Sequence, residues 1–201
     1  MKINTIENLK NRKSEYILNK DVKASEDEII RVVEDSFYYS PAAFNSESSK
    51  AVILLGKEHD YLWEEITLNV LKSMISDEEQ LKEVEEKISG FKNAYGTVLV
   101  FEDIDIVKGL QESFPSYSEN FPIWSEQASG MATIIAWTAL TELGLGANLQ
   151  HYNPIIDEKV YEKWDIPRNW KLRSQLVFGN IFEKAGDKEK EDIKERVLVR
   201  K

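Results

Sequence analysis

Arg12, Lys13 and Ser14, with Lys10 just before them, put two to three cations and a small hydroxyl together in an otherwise acidic chain. A phosphate monoester recruits such a set: a guanidinium fork, a second cation and short donors. Basic residues at a helix C-terminus also complement the helix dipole, so this stretch alone leaves both readings open. A second group lies in "SPAAFNSES", where Pro41, Ala42, Asn45 and Ser46 leave backbone and amide groups free to meet a flat polar ring. Taken alone, it reads better as an ordinary helix-to-strand turn. The third is "GLGANLQHYNP", Gly144 to Pro154, which holds one of the two histidines. Its glycines follow a helix instead of preceding one, so it fails the test of a dinucleotide fingerprint. Gly144 fits the position just past a helix end. No serine or carboxylate arrangement makes His151 part of a triad. The aromatics Phe114, Tyr117, Phe121 and Trp124 suit either a roof over an aromatic ligand or a core.

Composition narrows the chemistry further. The chain has no cysteine, which excludes disulfides, thiolate catalysis and cysteine-ligated metals. With only His59 and His151, no metal site is expected. The acidic clusters "EEQLKEVEEK" and "EKEDIKE" carry interspersed lysines and read as solvated faces. A net charge of −10 argues against a nucleic-acid partner, which would need a basic face. The most apolar run, Met131 to Leu140, falls well short of the about 20 residues that span a bilayer. The N-terminal stretch lacks the apolar core of a signal peptide, so a cytoplasmic protein with no membrane partner is expected.

The elements that must position these groups follow from periodicity. Ile3, Ile6 and Leu9 predict a helix over residues 2–11 that delivers the basic cluster at its end. Ser25 and Glu28 form a capping box opening a helix that Ser40-Pro41 stops. Apolar runs at Ala51–Gly56, Thr97–Asp103 and Trp170–Gly179 predict buried strands, with a fourth over Ala147–Tyr152. His59–Ile75 reads as a helix. A second capping box at Ser76–Glu79 opens another that runs to about Lys92. Asp105–Phe114 and Asp157–Trp164 read as short helices. Glu126–Leu143 is apolar around most of its circumference, which marks a central or interface helix. Ala128, Ala132, Ile135 and Ala139 share one of its faces and are expected to form a seam with a second subunit. The charged segment 183–194 reads as solvated and mobile, followed by a strand-like "RVLVR". The order lacks a regular βαβ rhythm, so an α+β fold in a single domain over 1–201 is expected.

Together, "KNRKSEYIL", "SPAAFNSES", "FKNAYGTVLVFED", "NFPIWSEQASGMA", "LGLGANLQHYNP", "WKLRSQLVFG" and "KERVLV" resemble, in order and spacing, the FMN-dependent nitroreductase superfamily. The similarity is greatest to the subgroup of the yeast fatty-acid-repression nitroreductase-like proteins and the bacterial copper-induced nitroreductase. It implies a mostly antiparallel sheet wrapped by helices and an intertwined homodimer with FMN at the interface. It also implies a C-terminal strand exchanged between subunits. By the same resemblance, Arg12, Lys13 and Ser14 contact the phosphate and ribityl chain, while Pro41, Ala42, Asn45 and Ser46 of the other subunit lie against the ring. The backbone near Leu149, Gln150, His151 and Tyr152 faces the flavin N5 edge, and Lys188 and Arg196 complete the phosphate site. The family's "NSQ" reads Asn45-Ser46-Glu47 here, a carboxylate replacing an amide. No side chain need be catalytic. The implied activity is hydride transfer from NADH or NADPH through flavin N5 to small aromatic oxidants, nitroaromatics and quinones, by a ping-pong mechanism. The alternatives are a flavin-binding stress or regulatory protein with little turnover, or an α+β interaction module without flavin.

Overall fold

The Ser25–Glu28 box is formed as the sequence predicts. The Glu28 amide donates to Ser25 Oγ at 3.3 Å, and the Glu28 carboxylate accepts from the Ser25 amide at 2.9 Å. The computed structural model in which this is seen describes residues 4–201. The first helix, α1, covers Asn4–Asn11, and Ile3 lies outside the described residues. Next come β1 (Ile17–Asn19), α2 (Glu26–Tyr38) and β2 (Ser49–Leu55). The expected helix from His59 is a composite: α3 (Gly56–Tyr61), a π-helical stretch Leu62–Leu68, and α4 (Asn69–Met74). The Thr67 hydroxyl donates to the Leu62 carbonyl at 2.8 Å within that wider turn.

Helix α5 (Glu78–Lys92) is capped by Asp77 rather than Ser76, since the Asp77 carboxylate accepts from the Gln80 amide at 2.8 Å. After β3 (Gly96–Asp103) and α6 (Ile104–Ser113), helix α7 begins at Phe121, not Glu126. Pro122 sits in its first turn, where a missing N–H costs nothing. The order ends with β4 (Leu145–Gln150), α8 (Asp157–Trp164) and the long β5 (Trp170–Glu183).

Strand β5 organises the sheet. It pairs antiparallel with β3 on one side and β4 on the other, β2 extends the sheet beyond β3, and β1 pairs with the far end of β5. All eight residues of β3 are buried because helices cover both faces, which explains a continuous apolar run where alternation would mark a half-exposed strand. Leu99 and Phe101 face Trp63, Ile66, Ile88 and Phe91. Val98 and Val100 face Ile29 and Val33 of α2 and Ala136 and Leu140 of α7. The architecture is α+β with an antiparallel sheet, as expected.

Two expectations change. Ala128 and Ala132 are not an open seam: they are 2% and 0% exposed within the single chain, packed inside it. Ile135 of the expected seam does face outward, at 36% exposure, and the outward apolar residues beside it are Ile123 and Met131, at 57% and 38%. The "RVLVR" segment forms no strand among the described residues, and Val197, Leu198 and Val199 stand in solvent. It pairs with no strand among the described residues.

His59 is a structural residue. The Trp63 indole N–H donates to Thr97 Oγ1 at 2.9 Å, leaving the Thr97 hydroxyl to donate to His59 Nδ1 at 2.9 Å. His59 Nε2–H then donates to the Phe91 and Lys92 carbonyls at 3.1 and 3.2 Å. This network assigns the neutral Nε2–H tautomer. Burial pushes the imidazole pKa down to about 4.

Candidate functional site

The site forms where the N-terminal basic segment meets β4. Ser14 makes a parallel bridge to Ala147, the Glu15 amide donates to the Ala147 carbonyl at 2.9 Å, and Asn148 Nδ2 donates to the Glu15 carbonyl at 2.8 Å. These bonds join residues far apart in sequence, and two glycines allow it. Gly144, at φ +83°, turns the chain out of α7 directly into β4. At Gly146 a Cβ would lie 2.6 Å from Ile181 Cγ1 and 2.9 Å from Glu15 Cβ, so only glycine admits the basic segment this closely. The strand ends at Gln150, short of the expected Tyr152, and His151 and Tyr152 lie just beyond it.

Between α7, β4 and β5 runs an open cleft of about 430 Å³. Leu149 and His151 line it, together with Trp137, Thr133, Arg173 and Glu126. The Arg12 guanidinium lies 4.4 Å from the Trp137 ring centroid, which puts the basic segment beside the cleft. Two buried donors there lack partners among the described residues: the Trp137 indole N–H and Arg173 Nε. Buried donors are almost always satisfied, so a pair of orphans in one cleft calls for an acceptor-rich ligand. A flat ring bearing carbonyls and ring nitrogens, with an anionic group near Arg12, matches that demand. FMN has this chemistry, and the residues fit it.

Arg173 also pairs with Glu126 across the cleft. Behind them Glu102 is fully buried, accepting from the Ser49 hydroxyl, with its second oxygen unpartnered among the described residues. Burial pushes the Glu102 carboxyl up; the Ser49 and Ser48 hydroxyls and Arg173 oppose this, and Glu126 adds to it.

The remaining sequence-predicted residues divide. Lys13 pairs with Asp187, which raises the Lys13 ammonium and lowers the Asp187 carboxyl. The Ala185 amide donates to the Glu15 carboxylate at 2.5 Å, so the tail runs over the basic segment and Lys188 follows directly. Arg196 ends the short turn Ile193–Glu195, exposed. Gln150 Nε2 donates to Asn148 Oδ1 at 2.8 Å.

Tyr152 departs from the expectation. Its amide donates to Gln175 Oε1 at 2.8 Å, and its ring packs 5.6 Å from that of Trp63, so that amide is not free to meet a ligand.

Pro41 and Ala42 do not join this cleft. With Tyr38, Glu47, Ile53 and Trp170 they line a separate groove of about 780 Å³, and no residue lines both. In the loop between, Phe44, Asn45 and Glu47 have φ of 56°, 49° and 51°. Three non-glycine residues in the left-handed region store strain of a kind found at binding sites. Asn45 Nδ2 donates to the Glu47 carboxylate at 3.0 Å and Lys50 Nζ donates to the Glu47 carbonyl at 2.9 Å, holding the loop in this form. Ser46 Oγ lies 3.4 Å from Ser48 Oγ. Phe44 packs with the aromatics, its ring 4.8 Å from Phe114 and 5.2 Å from Phe121.

Sequence reasoning missed Trp137, Arg173 and Glu102. The signals were present: a polar indole in an apolar helix, an arginine within the strand run "KLRSQLVFG", and a glutamate within the apolar run "TVLVFED".

Comparison with known proteins agrees with the geometry. The nitroreductase family profile matches residues 9–180. The nitroreductase FRM2 of Saccharomyces cerevisiae is 35% identical over 178 residues, covering 88% of this chain and 87% of that protein. The nitroreductase CinD of Lactococcus lactis, solved with nicotinic acid, is 47% identical and superposes with a TM-score of 0.92 over 98% of this chain and 100% of that one. CinD is also solved with chloramphenicol and with 4-nitrophenol. A nitroreductase of Desulfitobacterium hafniense with bound FMN shares the fold, with a TM-score of 0.72 at 14% identity and complete coverage of both chains.

Proposed function

The chain belongs to the nitroreductase family, and we propose that it is an FMN-dependent oxidoreductase that takes hydride from NADH or NADPH and reduces small nitroaromatic or quinone acceptors. The observation that carries the cofactor assignment is the pair of unpartnered buried donors, Trp137 Nε1 and Arg173 Nε, in the cleft beside β4. The nicotinic acid, chloramphenicol and 4-nitrophenol complexes of CinD support the class of aromatic ligand.

When bound, FMN supplies the redox chemistry, accepting hydride at N5 and returning the electrons to the acceptor. The chain binds and orients it. Arg12 and Ser14 hold the phosphate end, with Lys13, Lys188 and Arg196 as the further cations of that end. Trp137 and Arg173 offer N–H groups to ring acceptors, and the main chain over Leu149–His151 supports the ring edge. His151 is exposed at the cleft rim and contributes through its backbone. Donors fixed in advance stabilise charge without reorganising when it develops. Within one chain the cleft is open to one side, and in this reading nicotinamide and oxidant use the same shelf in turn, giving ping-pong kinetics and broad acceptor range.

A homodimer completes the site in this reading. Pro41, Ala42, Asn45 and Ser46 lie off their own chain's cleft and would cover the ring held by a second copy. The α7 stripe of Ile123, Met131 and Ile135 offers the apolar seam, and Val197–Val199 offer an arm to exchange. No described helix is long and apolar enough to cross a membrane. The proposed setting is the cytoplasm, where both nicotinamides are supplied. The test is steady-state oxidation of NADH and NADPH with 4-nitrophenol, chloramphenicol and a quinone, with and without added FMN. Parallel double-reciprocal lines and dependence on FMN are expected; turnover indifferent to FMN would overturn the reading.

A further inference from the structure

Arg173 sits on β5 between Leu172 and Ser174, and its side chain is 18% exposed. It is the one lysine or arginine among the described residues that line the cleft. Glu126 of α7, itself half exposed, pairs with Nη2 at one corner of the guanidinium. Nε, on another edge, is buried and has no partner among the described residues. Glu102 of β3 and Asp157 of α8 also feel this charge, and burial pushes both carboxyls up, so they neutralise the guanidinium less than ordinary carboxylates would. The cleft therefore holds a guanidinium that Glu126 pairs at one corner and whose buried Nε has no partner among the described residues.

We propose that Arg173 sets the redox poise of the bound flavin: its guanidinium stabilises the negative charge that the ring gains on reduction, and Glu126 tempers the effect. The inference rests on the FMN reading above. In the reductive step a C–H bond of the dihydronicotinamide breaks and an N–H bond forms at flavin N5. Two electrons and one proton move together, the nicotinamide leaves oxidised, and the ring is left richer by one negative charge. A fixed cation in a partly desolvated cleft favours that charged form over the oxidised one. A guanidinium stays protonated throughout, so its effect is on potential and not on proton supply.

The experiment measures the flavin midpoint potential against a reference dye under anaerobic conditions, and the affinity for oxidised FMN, in the wild-type protein and in Arg173→Gln, Arg173→Lys and Glu126→Gln. In Arg173→Gln, binding of reduced FMN should weaken about tenfold more than binding of oxidised FMN. For a two-electron couple that is a potential about 30 mV more negative. Arg173→Lys should recover most of the difference, because charge and not fork geometry is at issue. Glu126→Gln should move the potential the other way. A merely structural role for Arg173 would weaken both forms of FMN alike and leave the potential where it was, which would overturn the inference. If Arg173→Gln does not fold, an unchanged or more negative potential in Glu126→Gln overturns it. A wild-type chain that takes up no FMN overturns the cofactor reading, and this inference with it.

Discussion

Acidification should cost this protein stability through His59. The imidazole is fully buried and hydrogen-bonded to Thr97, Phe91 and Lys92; burial keeps it neutral, although the two carbonyls it donates to favour the charged form. Burial lowers its pKa from 6.5 to about 4. Between those values the unfolded chain binds a proton that the folded chain refuses, so stability falls as pH drops through about 6.5 and levels off near 4. At 1.36 kcal/mol per pH unit, full titration removes about 3 kcal/mol, a large share of the about 5–15 kcal/mol typical of a domain. The assay is urea unfolding of wild type and His59→Gln at one fixed protein concentration, from pH 7.5 down to 4.5. Glutamine loses part of the network and should cost about 1–3 kcal/mol at neutral pH. Its disadvantage should shrink as the pH falls, because it has no proton to refuse. Other titrating groups cancel in the difference between the two proteins. A difference that stays constant across the window would refute the reasoning.

Arg12→Ala should weaken FMN binding by about 1.5–3 kcal/mol, the worth of a hydrogen bond to a charged group, and weaken riboflavin binding much less; isothermal titration with both ligands checks this. His151→Gln should retain most of the activity with NADH and a nitroaromatic, because the imidazole transfers no proton, whereas loss of a general acid–base costs about a hundredfold or more. Gly146→Ala should lower stability by about 1–3 kcal/mol and reduce flavin content together, read by thermal melting and flavin absorbance, since its Cβ would press on Ile181 and Glu15. Met131→Glu with Ile135→Glu should give a folded monomer that loses FMN, seen by sedimentation with flavin absorbance; a monomer that keeps its FMN would refute a site shared between copies.

Local chemistry made much of the fold legible. The Ser25 cap is formed where it was read, and the strand ended by Leu55 and the strand β3 carry their apolar runs as expected. The Asp77 cap and the early start of α7 were less legible because neighbouring residues compete for the same terminal amides. Pro122 also suits a loop and a first helical turn equally well. The inside of α7 was misassigned because a helix apolar all round gives no periodicity to choose its faces; only the packing of the folded chain buries Ala128 and Ala132. At the site, the basic cluster and the β4 segment were both visible, but their junction depends on the bridge of Ser14 to Ala147, which no local pattern encodes. Trp137, Arg173 and Glu102 escaped notice because their importance lies in unsatisfied hydrogen bonds, a property of the folded chain alone.

The central claim is that the cleft between α7 and β4 holds FMN and passes electrons through it. The direct measurement is the flavin absorbance of the FMN-loaded protein under anaerobic conditions, first with NADH or NADPH and then with 4-nitrophenol. The account predicts that the yellow band bleaches with the nicotinamide and returns with the acceptor. A protein that takes up no FMN, or one whose bound flavin neither nicotinamide bleaches, would contradict it.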